Sequence, residues 1–287
     1  MQFKFKAIAV AMLMAASAPA LAQAQRIYGV TITNPWRKLP QTVQALAALA
    51  KKPTARVVFD EGVSAAEYQQ IVPEIRKSAF VMGELLDSQF VKAYTVQAYQ
   101  QRANEYLNAL GMYVDIWEIG NEINGEWLGD TPSVVAKMRA AYDLVKGRGG
   151  RAALTLYYNQ DCWSRKSNEM FTWAQANVPD YMKQNLDYVF VSYYEDDCNG
   201  LQPDWQTVFN RLGQMFPNSL LGIGESGTIY AARKEATINR YYRMTVNHPR
   251  FVHGGFWWYF DASNKGGTGD MVPSTNPLWT VLNNAIR

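Results

Sequence analysis

Eight short apolar runs recur along the chain, separated by stretches of helical length. The runs are rich in Val, Ile, Phe and Tyr, a composition typical of strands that are buried on both faces. They are Ile27–Ile32, Ala55–Asp60, Phe80–Leu86, Val114–Asn121, Ala152–Tyr158, Leu186–Tyr194, Leu220–Glu225 and Phe251–Phe260.

The stretches between these runs carry apolar residues at helical spacing, which predicts amphipathic helices. They are Gln41–Ala50, Ala65–Lys77, Val96–Leu110, Ser133–Lys146, Met170–Ala176, Trp205–Met215 and Lys234–Val246, with a closing helix at Leu278–Ile286. Strand and helix alternate with no long linker, so we predict one α/β domain with a parallel sheet. Eight such units in about 260 residues match a single (β/α)8 TIM barrel. A doubly wound open sheet is the alternative, although no Gly-x-Gly-x-x-Gly motif follows the first run.

The N-terminus predicts a secretory signal peptide over residues 1–22, which leaves residues 23–287 as the folded domain. Lys4 and Lys6 precede the apolar stretch Ala7–Ala16, and Ala20-Leu21-Ala22 forms a small-x-small cleavage site. The apolar stretch is short for a membrane span, so a retained anchor is the less favoured alternative. We therefore expect a bacterial protein that is periplasmic or secreted and has no membrane attachment after cleavage.

Composition excludes several partner classes. Loss of Lys4 and Lys6 with the leader lowers the formal charge from +3 to about +1, and no basic run suggests nucleic-acid binding. His248 and His253 are too few and too poorly spaced for a metal centre, so we predict neither a metal nor a cofactor. Nine Trp and seventeen Tyr suit a cleft that stacks on sugars. We expect the protein to be a monomer.

The two cysteines, Cys162 and Cys198, predict a disulfide because the chain is expected to be exported. A metal pair or two free thiols are the alternatives. Closing a loop of about 36 residues would contribute about 3–4 kcal/mol in the loop-entropy model.

Two carboxylates stand at strand ends, where the active sites of parallel barrels lie. The fourth run, in VDIWEIGNEING, ends in Asn121-Glu122, and the seventh, in LLGIGESG, ends in Glu225. A lone strand-end glutamate commonly turns into solvent. Two of them at one barrel mouth provide what glycoside hydrolysis needs, a proton donor and a second carboxylate at the anomeric centre.

These motifs resemble those of the clan A glycoside hydrolases, retaining enzymes with a (β/α)8 fold. WEIGNE is similar to the W-E-x-x-N-E motif of family 39 and family 5 members. The resemblance implies that Glu122 is the acid/base, that Asn121 contacts the sugar 2-hydroxyl, and that Glu225 is the nucleophile. The ESG triplet also resembles the family 17 β-1,3-glucanases, although Thr228-Ile229 stands where those enzymes carry Trp-Pro.

Two further strand ends resemble the same clan. LDYVFVSYY is similar to V-D-x-x-x-x-H-Y-Y, whose last tyrosine contacts the nucleophile. That role falls on Tyr194, or on Tyr193 if the register slips by one, and Ser192 replaces the family histidine. FWWYFD is similar to W-x-x-x-D, which places Trp257 on the floor of the subsite, with Trp258 beside it among the predicted substrate contacts.

Other polar and aromatic residues at strand ends are weaker candidates for substrate contacts. Asp60, Asn159 and Trp127 follow the second, fifth and fourth runs, and roles in capping, packing or a solvated rim are the alternatives. Trp36 and Trp163, which follow the first and fifth runs, are equally weak candidates, and packing is the alternative role for both. Glu118 shares the face of Glu122 by strand alternation, and we predict it as a structural partner of Arg56 inside the barrel.

The sequence as a whole therefore favours an exported retaining glycoside hydrolase that acts within a polysaccharide, either of β-glucan type or a bacterial exopolysaccharide. Glu225 attacks and Glu122 acts as acid and then base in this hypothesis. The alternatives are a transglycosylase that uses the same site and a non-catalytic glycan-binding barrel.

Overall fold

A computed structural model describes residues 25–162, 165–261 and 269–287. The predicted signal peptide and Trp163 lie outside these ranges. Among the described residues, no helix combines the length and the apolar character that crossing a membrane requires.

Eight parallel strands close into a barrel, because β1 pairs with β2 on one side and with β8 on the other. This confirms the predicted TIM barrel over the open sheet. Most strand residues are buried, as expected for a sheet covered by helices outside and packed side chains inside. The strands are β1 Ile27–Ile32, β2 Thr54–Val58, β3 Phe80–Glu84, β4 Ile116–Gly120, β5 Ala152–Tyr157, β6 Tyr188–Tyr193, β7 Leu220–Ser226 and β8 Phe251–Trp257.

The helices surround the barrel, and two predicted helices, Val96–Leu110 and Trp205–Met215, have the predicted bounds. The described α-helices are α1 Pro35–Ala47, α2 Ala65–Tyr68, α3 Val72–Ser78, α4 Val96–Leu110, α5 Thr131–Gly147, α6 Met170–Asn177, α7 Asp180–Asn185, α8 Trp205–Met215, α9 Lys234–Tyr242 and α10 Pro277–Ala285. The single helix predicted over Ala65–Lys77 is wrong, since the structure has α2 and α3 there. Pro73 lies in the first turn of α3, where its missing N–H is tolerated, and it could not have continued a helix from α2.

The interior of the barrel is divided into an apolar layer and a polar layer. Met82, Ile116, Phe190 and Phe256 belong to a buried apolar cluster inside the strands. Beyond this layer, towards the carboxyl ends of the strands, the enclosed side chains become polar, and Arg56 is fully buried among acids. Inside the barrel, the apolar layer therefore lies towards the amino ends of the strands and the polar layer towards their carboxyl ends.

The predicted disulfide is present. Cys162 and Cys198 are bonded, with their Cα atoms 5.4 Å apart. The bond joins the loop after β5 to the loop after β6, and both loops lie at the carboxyl ends of the strands.

Candidate active site

A cleft of about 580 Å3 lies at the carboxyl ends of the strands. Loops that follow β3, β4, β6, β7 and β8 contribute to it, and so does Tyr157 at the end of β5. The residues that line it are Asp87, Ser88, Gln89, Asn121, Glu122, Trp127, Tyr157, Tyr194, Asp196, Asp197, Glu225, Ile229, Trp258 and Tyr259. Glu122 and Glu225 therefore face the same space, as the positions of their strands require.

Glu122 lies two residues beyond β4 and is held between two serine hydroxyls. Its φ is +47°, a conformation that non-glycine residues seldom adopt. Ser88 Oγ donates to Oε2 at 2.8 Å, and Ser192 Oγ donates to Oε1 at 2.7 Å. Trp127 Nε1 donates to Ser88 Oγ at 3.0 Å, which fixes that serine in turn. The carboxyl group is thus oriented at both of its oxygens.

Glu225 lies within β7 and has different partners. Tyr194 Oη donates to its Oε1 at 2.7 Å, and Arg56 Nη1 donates to its Oε2 at 2.8 Å. In the β6–β7 ladder, Glu225 is paired with Ser192 just after a register shift. Ser192 therefore contacts Glu122 through its side chain while its backbone stands next to Glu225, which couples the positions of the two acids.

Arg56 is the centre of a buried charge cluster. Its Nε lies 2.6 Å from Glu118 Oε2, which confirms the predicted pair, and its Nη2 lies 3.0 Å from Glu84 Oε2. Arg56 and both of these carboxylates have no exposed side-chain surface. Burial raises the pKa of Glu84, and the charge of Arg56 lowers it by a smaller amount. The pKa of Glu84 therefore lies well above its usual value.

Burial also raises the pKa of both cleft glutamates. The pKa of Glu122 rises to about 7, against the lowering effect of the hydrogen bonds from Ser192 and Ser88. Burial raises the pKa of Glu225 to about 8. Arg56 and Tyr194 act to lower this pKa, and the nearby Glu122 acts to raise it. Carboxyl groups in such an environment can hold or release a proton near neutral pH.

Four of the predicted substrate-contact residues line the cleft: Asn121, Trp127, Tyr194 and Trp258. Asn121 is almost fully buried, and its Oδ1 has no hydrogen-bond partner within the described part of the protein. A buried acceptor without a partner is costly, so a ligand that donates to it would be favoured.

The other four predicted contact residues do not line this cleft. Tyr193 is fully buried and its hydroxyl donates to the Leu201 carbonyl at 2.6 Å. Trp257 is fully buried too, with its indole N–H on Asp270 at 3.0 Å, so placing it on the cleft floor is wrong. Strand alternation sends its ring outwards and brings Trp258 to the cleft instead.

Asp60 and Asn159 have structural partners. Asp60 Oδ2 accepts from Trp36 Nε1 at 3.3 Å, outside the cleft. Asn159 is buried, donates to the Asn168 carbonyl at 2.9 Å and accepts from the Met170 backbone at 3.0 Å. Asn159 therefore holds the loop between β5 and α6 and does not contact the cleft.

Several residues of the cleft were missed by the sequence analysis. Asp87 and Ser88 follow β3 in the motif GELLDS, and a search of the residues after each strand could have found them. Tyr157 and Tyr259 also line the cleft. Nothing in the sequence distinguishes these two from the many tyrosines in the core.

Comparison with solved structures shows the same barrel in other proteins. Saccharomyces cerevisiae Gas2p in complex with laminaritriose and laminaritetraose matches with a TM-score of 0.56 at 14% identity, over 91% of this chain and 64% of that one. The apo structure of a β-glucosidase, 1317, matches with a TM-score of 0.59 at 14% identity, over 88% of each chain. At such identities the likeness establishes the shared fold.

The chain spans just under two thirds of the Gas2p chain in that match. No protein-family model matches the sequence. No curated protein sequence matches it either.

Proposed function

We propose that this protein is an exported retaining glycoside hydrolase that cleaves within a polysaccharide chain. One observation carries the proposal: two buried carboxyl groups share one cleft and have chemically different partners. Glu122 is held by two neutral hydroxyls, whereas Glu225 is held by a guanidinium and a phenol. Double displacement needs such a difference, because one group must carry a proton while the other is ionised.

The hydrogen-bond partners support a protonated Glu122. The pKa values of about 7 for Glu122 and about 8 for Glu225 by themselves favour the opposite order. Arg56 can only donate, however, so it supports the ionised form of Glu225. The hydroxyls of Ser88 and Ser192 can also accept, so they tolerate a protonated Glu122. We therefore take Glu225 as the nucleophile and Glu122 as the acid.

In the first step, Glu225 attacks the anomeric carbon while Glu122 protonates the departing glycosidic oxygen. The glycosyl–enzyme ester then forms at Glu225, with Tyr194 and Arg56 holding the carboxylate in place. In the second step, Glu122 takes a proton from water, which attacks the same carbon and releases Glu225. In this proposal Asn121 Oδ1, which has no hydrogen-bond partner among the described residues, accepts a hydrogen bond from the sugar.

We propose the substrate class from the shape of the cleft and from a solved structure that shares the fold. Residues from six strand ends and the loops that follow five of them enclose a cleft large enough for a stretch of glycan, and Trp127 and Trp258 offer rings for stacking. The Gas2p structure contains laminari-oligosaccharides, which supports a β-glucan type of substrate. A bacterial exopolysaccharide of similar backbone fits the same proposal.

The decisive experiment is a polysaccharide screen with detection of new reducing ends. Glu122→Gln and Glu225→Gln should each lower turnover by at least about 10³-fold. Glu61→Gln is the matched control, because Glu61 is exposed after β2 and does not line the cleft. Equal activity in all three variants would exclude the proposal.

Two further measurements test the finer parts of the proposal. NMR of the first product should show the anomeric configuration of the substrate, and inversion would contradict a nucleophilic Glu225. Chromatography of early products should show a range of oligosaccharides if cleavage is internal. Products longer than the substrate would instead identify transglycosylation.

Export is proposed from the leader sequence and the disulfide. Expression of the full chain in a bacterium should yield a periplasmic or secreted protein that begins at Gln23. Recovery of an intact N-terminus in the cytoplasm would contradict this. Size-exclusion chromatography of the mature protein should give the mass of a monomer.

A further inference from the structure

The lining of the cleft is strongly acidic. Five of its residues carry carboxyl groups, and none of the described lining residues is Lys, Arg or His. Two of the acids are the proposed catalytic pair. The other three, Asp87, Asp196 and Asp197, have no role in the double displacement.

Within the described part of the chain, two arginines contact acids of the cleft, and both are already engaged. Arg56 has no exposed surface and is shared by Glu84, Glu118 and Glu225. It cannot turn to a ligand without leaving buried carboxylates unpaired. Arg233 lies 3.1 Å from Asp196 Oδ1, so it neutralises one of the three remaining acids.

Among the described residues, neither Asp87 nor Asp197 forms a salt bridge, although the charge of Arg56 acts on Asp87 from inside the barrel. Asp87 follows β3 and accepts from the Gln89 backbone at 2.8 Å through Oδ1. Asp197 follows β6 and is exposed. These two residues come from different loops, so their charges lie at two separate points of the cleft lining.

A second, independent feature of the cleft also disfavours an anionic ligand, because it requires a hydrogen-bond donor. Asn121 Oδ1 is buried at the cleft without a partner in the described structure, so it needs an O–H or N–H group. An anionic group on the substrate could supply no such donor, and it would also meet the repulsion of Asp87 and Asp197.

We propose that the cleft selects glycans that carry no acidic groups, and that free amino groups on the sugars strengthen binding. This rests on the proposed function, since it assigns the substrate class of the same site. A carboxylate near a ligand charge changes affinity by on the order of tenfold when the pair is partly shielded by water. Uronate polymers should therefore be excluded, and glucosamine polymers should bind best.

The test compares three β-1,4-linked hexamers that differ in charge: cellohexaose, a chitosan hexamer and a hexamer of glucuronic acid. Binding is measured by calorimetry on Glu122→Gln, which stops turnover and keeps that side chain neutral. We expect the chitosan hexamer to bind at least about tenfold more tightly than the uronate, and the difference to shrink as salt rises. Equal affinities, tighter binding of the uronate, or no binding of any hexamer would overturn the proposal.

Variants that remove single charges show which residues cause the preference for chitosan over the uronate. Asp87→Asn and Asp197→Asn, each added to Glu122→Gln, should each reduce the ratio of chitosan to uronate affinity severalfold. Asp143→Asn is the matched control, because Asp143 is exposed on α5 and outside the cleft. An equal reduction with Asp143→Asn would show that overall charge, and not the cleft, sets the preference.

The outcome is separable from that of the proposed function. If the unmodified protein hydrolyses no glycan but the hexamers follow the expected order, the catalytic proposal fails and the binding preference stands. If a neutral glycan is hydrolysed but the hexamers show no order, only the charge selection fails.

Discussion

Arg56 Nη1 lies 2.8 Å from Glu225 Oε2, inside a barrel where Arg56 has no exposed surface. The same guanidinium contacts Glu118 and Glu84, so one cation serves three buried carboxyl groups. The proposed nucleophile, Glu225, is thus bound by the same buried charge cluster that forms the polar layer of the barrel. Both its position and the stability of the fold depend on Arg56.

Replacing Arg56 with Met should therefore be costly. The change leaves buried acids without their cation, so we expect the free energy of unfolding to fall by about 3–5 kcal/mol, and by more at pH 8 than at pH 5. Urea denaturation followed by circular dichroism measures this. Lys77→Met removes a cation from the exposed pair with Glu74 and should cost less than about 1 kcal/mol. Similar losses in the two variants would contradict the role of the cluster.

The two neighbouring tyrosines provide a matched pair of variants. Tyr194→Phe removes the hydroxyl that donates to Glu225, so kcat/KM should fall by about 10–100-fold. Tyr193→Phe removes a hydroxyl bonded to the Leu201 carbonyl outside the cleft. That variant should lose about 1 kcal/mol of stability and keep activity within about twofold. A greater loss of activity in Tyr193→Phe would reverse the assignment.

Ser88 should act on the pH profile through Glu122. Its hydrogen bond favours the ionised carboxylate, and with it in place burial raises the pKa of Glu122 to about 7. Since the acid must be protonated, kcat/KM should fall as pH rises past the pKa of Glu122. Ser88→Ala removes the donor, so that decline should move to higher pH. Ser88→Thr keeps the hydroxyl and should restore the original profile, and an unmoved profile in Ser88→Ala would refute this role.

Glu122 should destabilise the folded protein at alkaline pH. Its folded pKa of about 7 lies above the usual carboxyl value, so the folded state binds more protons and stability falls as pH rises between these values. Glu122→Gln cannot ionise and should be more stable than the natural protein by on the order of 3 kcal/mol at pH 8, with little difference at pH 4. Thermal unfolding across this range measures the effect. A constant difference at all pH values would show that ionisation is not its cause.

The disulfide should stabilise the folded chain. Cys162 and Cys198 close a loop of 36 residues in sequence, which predicts a loss of about 3–4 kcal/mol when both are replaced by Ser. Urea denaturation of the variant against the oxidised protein measures the loss. Adding reductant should lower the stability of the natural protein and leave the variant unchanged.

The order of elements and the positions of Glu122 and Glu225 were determined by the sequence. Apolar runs at regular spacing require buried parallel strands, and the carboxyl ends of such strands must meet at one mouth. The partnership of Arg56 with Glu118 followed in the same way, because alternation sends both side chains inwards.

The tertiary structure alone decided which neighbours each acid has. Ser88 contacts Glu122 across 34 positions of sequence, and Arg56 contacts Glu225 across 169. A register shift in the β6–β7 ladder and the positive φ of Glu122 aim these side chains, and no local pattern encodes either feature. Trp257 and Trp258 are neighbours in sequence, and β8 has register shifts against both β1 and β7, so only the structure showed which of the two alternating rings lines the cleft. Local periodicity fixes which residues form a strand, whereas the closure and stagger of the whole barrel fix which strand ends come within hydrogen-bonding distance.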